Sequence, residues 1–252
     1  MSGHSKWATI KRKKGVADAK RGQLFTRLAR EIVLAARESG GDLESNFKLR
    51  LAIEKAKNNN MPKDNIERAI RRGTGEDREG GALEQILYEG YASHGVALLI
   101  ECVTDNRNRA VAEVRRLLTR AGGSMGEAGS VGWQFNRKAY FAIPAEGIDS
   151  DQVFEMAVEA GADDVVIGED VIEIYAPVET FKAIGDRLAR AGITPEETSL
   201  RMEPQQRIAL GTDETLQVMK VIESLEELDD VQAVYSNLQI TDEAVAAMEA
   251  AE

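Results

Sequence analysis

Residues 139–204 read AYFAIPAEGIDSDQVFEMAVEAGADDVVIGEDVIEIYAPVETFKAIGDRLARAGITPEETSLRMEP, and the spacing of their apolar side chains switches repeatedly between two patterns. Residues 139–145, 163–168, 171–177 and 198–204 are short extended runs. Residues 149–161 and 178–192 repeat apolar positions at helical intervals and stop at Gly161 and Gly192. The order strand, helix, strand, strand, helix, strand is that of a ferredoxin-like unit. We therefore expect residues 137–205 to fold as one β-α-β-β-α-β domain.

Outward from this unit the same grammar continues. Residues 88–105, YEGYASHGVALLIECVTD, form two strand-like halves around Ser93-His94-Gly95, and residues 106–123 form an amphipathic helix with a glycine stop. A glycine-rich loop, GGSMGEAGSVG at 122–132, then leads into a strand WQF at 133–135. Beyond the unit, residues 213–230 read as a helix and 231–240 as a strand. Residues 156–175 and 221–240 echo one another: each runs from a helix end through Asp-Asp-Val into a strand. The echo suggests that 82–136 and 206–240 make one discontinuous α+β domain, with 137–205 inserted in it and 241–252 left as a tail. A tandem arrangement is the alternative.

The first 78 residues have the helical period. Leu24, Leu28, Ile32 and Ala36 make an apolar stripe over residues 17–39, widened by Phe25, and Gly40-Gly41 ends it. At 100° per residue, Lys20, Arg27, Arg30 and Arg37 fall on the opposite side. A second helix after Ser45 runs to Asn58-Asn59-Asn60. A third follows Pro62, with Asp64 as N-cap and Glu67 completing a capping box, and ends at Gly73. GTGEDREGG at 73–81 reads as a linker. The fold class is α+β: a small all-α amino-terminal domain (1–78) and two ferredoxin-like α+β domains, one inserted in the other.

Charge divides the chain in the same place. The net charge is -11, yet residues 1–78 hold 19 Lys+Arg against 10 Asp+Glu, and the remainder holds 13 against 33. A polyanion is attracted to the first part and repelled by the second. The nucleic-acid-binding candidates are Lys6, Trp7, Lys11, Arg12, Lys13, Lys14, Lys20, Arg21, Arg27 and Arg30, with Trp7 able to stack on an unpaired base if exposed. The bland alternative is a solvated tail with Trp7 tucked onto the helical domain; an acidic protein surface is another. A membrane is disfavoured because the arm has few large apolar residues. The segment NNNMPKD is longer than a helix-turn-helix turn, and the arginines of the third helix cluster at its end, so backbone and shape recognition are expected over base reading. Both duplex DNA and structured RNA fit.

No run of about 20 apolar residues is present, and the basic start lacks the apolar core of a secretory signal. One cysteine, Cys102, fits a reducing compartment, with the cytoplasm as the default. A monomer is expected. The nucleophile-and-base search finds only His4, His94 and Cys102; the eight residues between the last two span about 26 Å when extended. No CxxC, HExxH, GxGxxG or GxxxxGK[ST] occurs. The paired acids at 163–164, 169–170, 196–197, 226–227 and 229–230 read as caps or solvated surface. No catalysis, metal, cofactor or small-molecule substrate is expected. The glycine-rich loop is either a helix stop or a mobile tip that presents Ser124 and Met125 to a partner.

The segments MSGHSKWATIKRKKGVADAKRGQLFTRLAREI, NNNMPKDNIERAIRRG, LIECVTDNRNRAVAEVR and GGSMGEAGSVGWQF together resemble the YebC/PmpR family, related to the mitochondrial translational activator of cytochrome c oxidase. The resemblance spans essentially the whole chain and starts at Met1, which implies a bacterial form without a presequence. It implies a helical domain and two α+β domains around a shared cleft. It also implies either a DNA-binding transcriptional regulator or a ribosome-associated factor, meeting ribosomal RNA or tRNA, that assists elongation through stretches such as consecutive prolines. Lys11 to Lys14 and the basic helix face would then grip nucleic acid, and the loop at Met125 would probe the ribosomal active centre. A protein-binding adaptor using the acidic domains is the remaining alternative.

Overall fold

The computed structural model describes residue 7, residues 18–77 and residues 81–250; the side chains of residues 18–20 and 249 lie outside it. Three helices come first: α1 (Asp18–Ser39), α2 (Phe47–Asn58) and α3 (Lys63–Thr74). The corner between α1 and α2 is closed by one buried amide. Asn46 accepts from the Leu49 N–H at 3.0 Å and donates to the carbonyls of Ala35 and Gly40 at 2.8 and 2.7 Å, so it caps one helix while holding the end of the other. Leu28, Ile32 and Ala36 of α1 meet Leu49, Ile53 and Ala56 of α2 and Ile66 and Ala69 of α3; Leu83 and Val103 join this core from the next part of the chain.

The third helix departs from expectation at both ends. Pro62 is its N-cap, with no side-chain bond, and Asp64 lies in the first turn. Proline's fixed φ starts the helix without a cap acceptor. The helix runs through Gly73 and turns out at Gly75, φ +81°. Gly73 is inside because α1 crosses there: a Cβ on it would lie 2.6 Å from both the Ala36 Cβ and the Val33 carbonyl oxygen. Since α2 extends to Asn58, only residues 59–62 separate it from α3. That is a turn of helix-turn-helix length, so the spacing argument against that motif is corrected.

The rest of the chain forms β1 (Glu84–Tyr91), β2 (Ala97–Thr104), α4 (Arg107–Arg120), β3 (Ser124–Met125), β4 (Phe135–Pro144), α5 (Ser150–Glu159), β5 (Asp164–Ile167), β6 (Val171–Ala176), α6 (Phe181–Arg190), β7 (Glu197–Pro204), β8 (Ile208–Ala209), α7 (Thr212–Glu226), β9 (Val231–Ser236), β10 (Leu238–Gln239) and α8 (Asp242–Ala250). Strands from both sides of the 135–204 segment share one antiparallel sheet, in the order β3-β1-β2-β9. The segment itself makes a second antiparallel sheet, β5-β6-β4-β7, the ferredoxin-like order its sequence pattern gives. A short parallel pair, β8 with β10, lies outside both sheets.

Alternation along β2 explains its two-sided burial. Leu98, Ile100 and Cys102 face Val114 and Leu118 of α4 and Val218, Ile222 and Leu225 of α7. Ala97 and Leu99 face the other way, toward Val131 and Phe135. In the second sheet Phe141, Ile143, Ile172 and Ile174 meet Val153 and Ala157 of α5 and Ile184 and Leu188 of α6. Two further expectations are corrected. Gly132–Gln134 is a single 3-10 turn, with the strand starting at Phe135. The segment expected as a tail carries α8, whose Val245 is buried in the α4–α7 core.

Candidate nucleic-acid interface

The cationic face of α1 is turned toward protein. α7 ends at Glu226, and the last carbonyls of a helix lack intrahelical donors and carry partial negative charge. Three side chains of α1 meet that end. Gln23 donates to the Glu227 carbonyl at 3.2 Å, Arg27 to the Glu226 carbonyl at 2.6 Å, and Arg30 to the Asp229 carbonyl. One further along, Arg37 donates to the Leu83 carbonyl. The expectation that Arg27 and Arg30 point outward as phosphate grips is thereby corrected: carbonyl oxygens at the end of α7 occupy them.

Asp230 is the hub of this seam. It is 2% exposed, and its carboxylate accepts from four groups on three elements. Arg30 reaches Oδ1 at 3.1 Å; Thr104 Oγ1 donates to Oδ2 at 3.0 Å; Arg109 donates through Nε at 3.1 Å and Nη2 at 2.8 Å. Arg109 also bonds Asp105 at 3.0 Å. A buried carboxylate is tolerated only when paired and fully hydrogen-bonded, and the two-pronged Arg109 contact supplies both. The bond to Asp230 and its charge hold the Arg109 guanidinium above the ordinary arginine value. In sequence Asp230 looks like one of the acid pairs expected as caps or solvated surface, and nothing local marks its pairing with Arg109 across 121 residues.

Trp7 is 9% exposed, within the apolar cluster that holds Val114 and Leu118 of α4 and Val218 of α7. It is neither a free stacking platform nor packed on the helical domain, and both expectations for it are corrected. Lys6, Lys11, Arg12, Lys13 and Lys14, and the side chain of Lys20, lie outside the described residues; Arg21 is exposed. Lys11 follows Trp7 by four residues and Lys14 precedes Asp18 by four. In sequence the basic cluster therefore lies between Trp7 and α1.

Met125 does not sit on a mobile tip. Ser124 and Met125 pair with Tyr91 and Gly90 in the sheet, and Met125 packs against the α4–α7 core. Gly90 permits this pairing, since a Cβ there would lie 2.7 Å from the Ser124 carbonyl oxygen. The segment that follows is pinned by Glu89, whose carboxylate accepts from the N–H groups of Gly129, Val131 and Gly132 at 2.7, 2.5 and 2.8 Å. Burial alone would raise the Glu89 pKa, but these three donors together bring it below the usual carboxylate range. Trp133, 70% exposed, stands beside this turn with its indole N–H on the Ser130 carbonyl at 3.2 Å.

α3 presents Lys63, Asp64, Glu67 and Arg68 to solvent in its first half, and Lys63 pairs with Glu67 at 3.4 Å. Acids on the leading face of a helix oppose its entry into a DNA groove. Elsewhere, Arg201 lies 3.7 Å from the Tyr140 ring centroid and 5.4 Å from that of Tyr175, bonded to Glu203 at 2.6 Å, while Tyr140 donates to Glu173 at 2.6 Å. Burial pushes both tyrosines above their ordinary value, so they stay neutral. Cys102 is buried and raised to about 12, mainly by burial, with Asp230 and Glu101 adding to it. Among the described residues no three His, Cys, Asp or Glu are grouped to hold a metal, and no helix is long and apolar enough to cross a membrane.

Comparison with known proteins gives a consistent picture. Residues 5–76 match the model of the TACO1/YebC protein N-terminal domain, and residues 83–238 that of the TACO1/YebC second and third domain. A protein of Rubrobacter xylanophilus described as a probable transcriptional regulatory protein is 49% identical over 246 residues, 98% of each chain. One of Acidithiobacillus ferrooxidans with the same description is 50% identical over 250 residues, 99% of each. The crystal structure of a conserved hypothetical protein, Aq1575 from Aquifex aeolicus, superposes with a TM-score of 0.83 at 42% identity, covering 89% of this chain and 93% of that one.

Proposed function

The chain belongs to the TACO1/YebC family, and from that premise we propose that it is a non-enzymatic regulator that binds DNA through the phosphate backbone. The observation that carries this reading is the segregation of charge, basic over residues 1–78 and acidic beyond, with Lys11, Arg12, Lys13 and Lys14 lying in sequence between Trp7 and α1. Lys6, Lys20 and Arg21 extend the cluster. Arg27 and Arg30 serve it indirectly, by fixing the helices that carry it against the α7 end. The description of the curated relatives as transcriptional regulatory proteins supports DNA as the polyanion.

The same reading divides the chain at 1–78, 82–136 with 206–240, and 137–205. Sharing of one sheet by β1, β2, β3 and β9 supports the discontinuous middle domain. A second reading, a cytoplasmic factor bound to ribosomal RNA, is favoured by one observation: the acids on the leading face of α3 oppose its use as a base-reading helix. Titration of the intact protein with a promoter fragment, a scrambled duplex of equal length and purified ribosomes separates the two. Tighter binding of the duplexes than of ribosomes supports the first reading, with any promoter preference measuring shape recognition; tighter ribosome binding supports the second.

A further inference from the structure

We infer that the outward face of α4 is a second docking surface for the phosphate backbone of duplex DNA. This rests on the nucleic-acid reading above and extends it to a part of the chain that reading leaves out. The helix carries Arg107, Arg109, Arg115, Arg116 and Arg120 against a single acid, Glu113. Every one of its cations is arginine, whose planar fork matches phosphate oxygens in a way an ammonium does not.

The surrounding sequence makes this concentration unusual. Residues after 78 hold 33 acids and 13 bases, and of the eight bases outside α4 five pair with acids near them. Lys138 pairs with Asp163, Lys182 with Asp186, Arg187 with Glu159, and Arg201 and Arg207 with Glu203. Along α4 only Arg109 is spent in this way. Arg107, Arg115, Arg116 and Arg120 are exposed and meet no carboxylate among the described residues. Four unpaired guanidiniums on one helix leave a local positive field in an otherwise repulsive region.

Geometry makes the patch usable. Ala110, Val114 and Leu118 face the core, so Arg116 and Arg120 lie on the far side, one turn and about 6 Å apart along the axis. Arg115 flanks them. Continuity with the basic amino-terminal part comes through Asp230, whose carboxylate holds Arg30 of α1 and Arg109 of α4 together. Trp7 lies in the same apolar cluster as Val114 and Leu118. A duplex held by the arm is thus led onto α4. The exposed face of α4 carries no aromatic side chain, which fits a duplex whose bases stay stacked better than a single strand.

The test uses the full chain with Arg115, Arg116 and Arg120 all changed to Gln, a residue that keeps helix propensity. Binding of a 30-base-pair duplex of unrelated sequence is measured across a salt series, with thermal unfolding confirming an unchanged fold. Loss of three phosphate contacts lowers the salt slope by about three and the affinity by roughly tenfold or more. Removing Arg190 and Lys220, exposed cations elsewhere in the acidic region, has little effect. An unchanged slope in the triple variant overturns the inference, as does an equal loss in the Arg190/Lys220 control, or a loss confined to an RNA hairpin probe. If changing Lys11, Arg12, Lys13 and Lys14 to Gln weakens binding while the α4 variant does not, only the α4 surface is refuted. No binding of DNA by the unaltered protein refutes both.

Discussion

Arg30 and Arg109, 79 positions apart on different helices, converge on opposite oxygens of the Asp230 carboxylate at 3.1 and 2.8 Å. The contact ties the amino-terminal helices to the first sheet through a charge that has no access to water. Removing the charge of Asp230 takes from Arg30 and Arg109 their shared carboxylate, although Arg109 keeps Asp105 and Arg30 the Asp229 carbonyl. Asp230→Asn is expected to lower stability by about 3 kcal/mol, read by denaturant unfolding. A cost below about 1 kcal/mol would show that the hub is dispensable.

The contacts of Arg27 and Arg30 with the end of α7 separate two roles for the same residues. Changing both to Met should speed amide exchange in α1 and lower the unfolding midpoint, because the carbonyls of Glu226 and Asp229 lose their donors. If these residues instead grip phosphate directly, the double variant reduces the salt slope of DNA binding and leaves exchange alone.

Gly73→Ala introduces a methyl group where the α1 backbone already stands. Helix propensity favours alanine by about 1 kcal/mol, yet overpacking costs about 1–3 kcal/mol. Because the clash is with a carbonyl oxygen as well as a side chain, net destabilisation is expected. A raised melting temperature would contradict the crossing.

Glu89 makes the 126–132 segment sensitive to acid. Its folded pKa is lowered by three N–H donors, so it contributes stability above the unfolded value of about 4.3 that is lost as pH falls through the folded value. Amide exchange at Gly129, Val131 and Gly132, corrected for intrinsic pH effects, should rise over that window. Glu89→Gln should raise it already at pH 7. Unchanged protection in the variant would remove Glu89 as the pin.

Cys102 offers a check on burial. With its thiol held up at about 12, the folded protein should resist a thiol reagent at pH 8, and unfolding should release the reaction. Stability should decline as pH rises beyond about 8.5, where the unfolded chain ionises first. Prompt labelling of the native state would contradict the placement of Cys102 in the α4–α7 core.

The second sheet was legible because alternation and helical period leave direct traces, and a βαββαβ sequence has few ways to close. What escaped is non-local. A stripe of arginines looks the same in sequence whether it faces water or the carbonyls of a distant helix end, so nothing in the sequence counts against a phosphate role for Arg27 and Arg30. Trp7 sits among basic residues and gives no sign in sequence that it belongs to an apolar cluster whose other members begin at Ala92. Ser124 and Met125 are two residues in a glycine-rich run, too short for a periodic signal, and their strand exists because Gly90 lets the backbones approach. In α3 proline's preset φ competed with the Asp64 capping pattern and prevailed.

The central claim is that the cationic segment between Trp7 and α1 holds the polyanion. The most direct measurement compares the salt dependence of duplex affinity for the intact protein and for the variant with Lys11, Arg12, Lys13 and Lys14 changed to Gln. The account predicts a slope smaller by about three to four and much weaker binding at moderate salt, with the melting temperature unchanged. Equal slopes and equal affinities for the two proteins would contradict it.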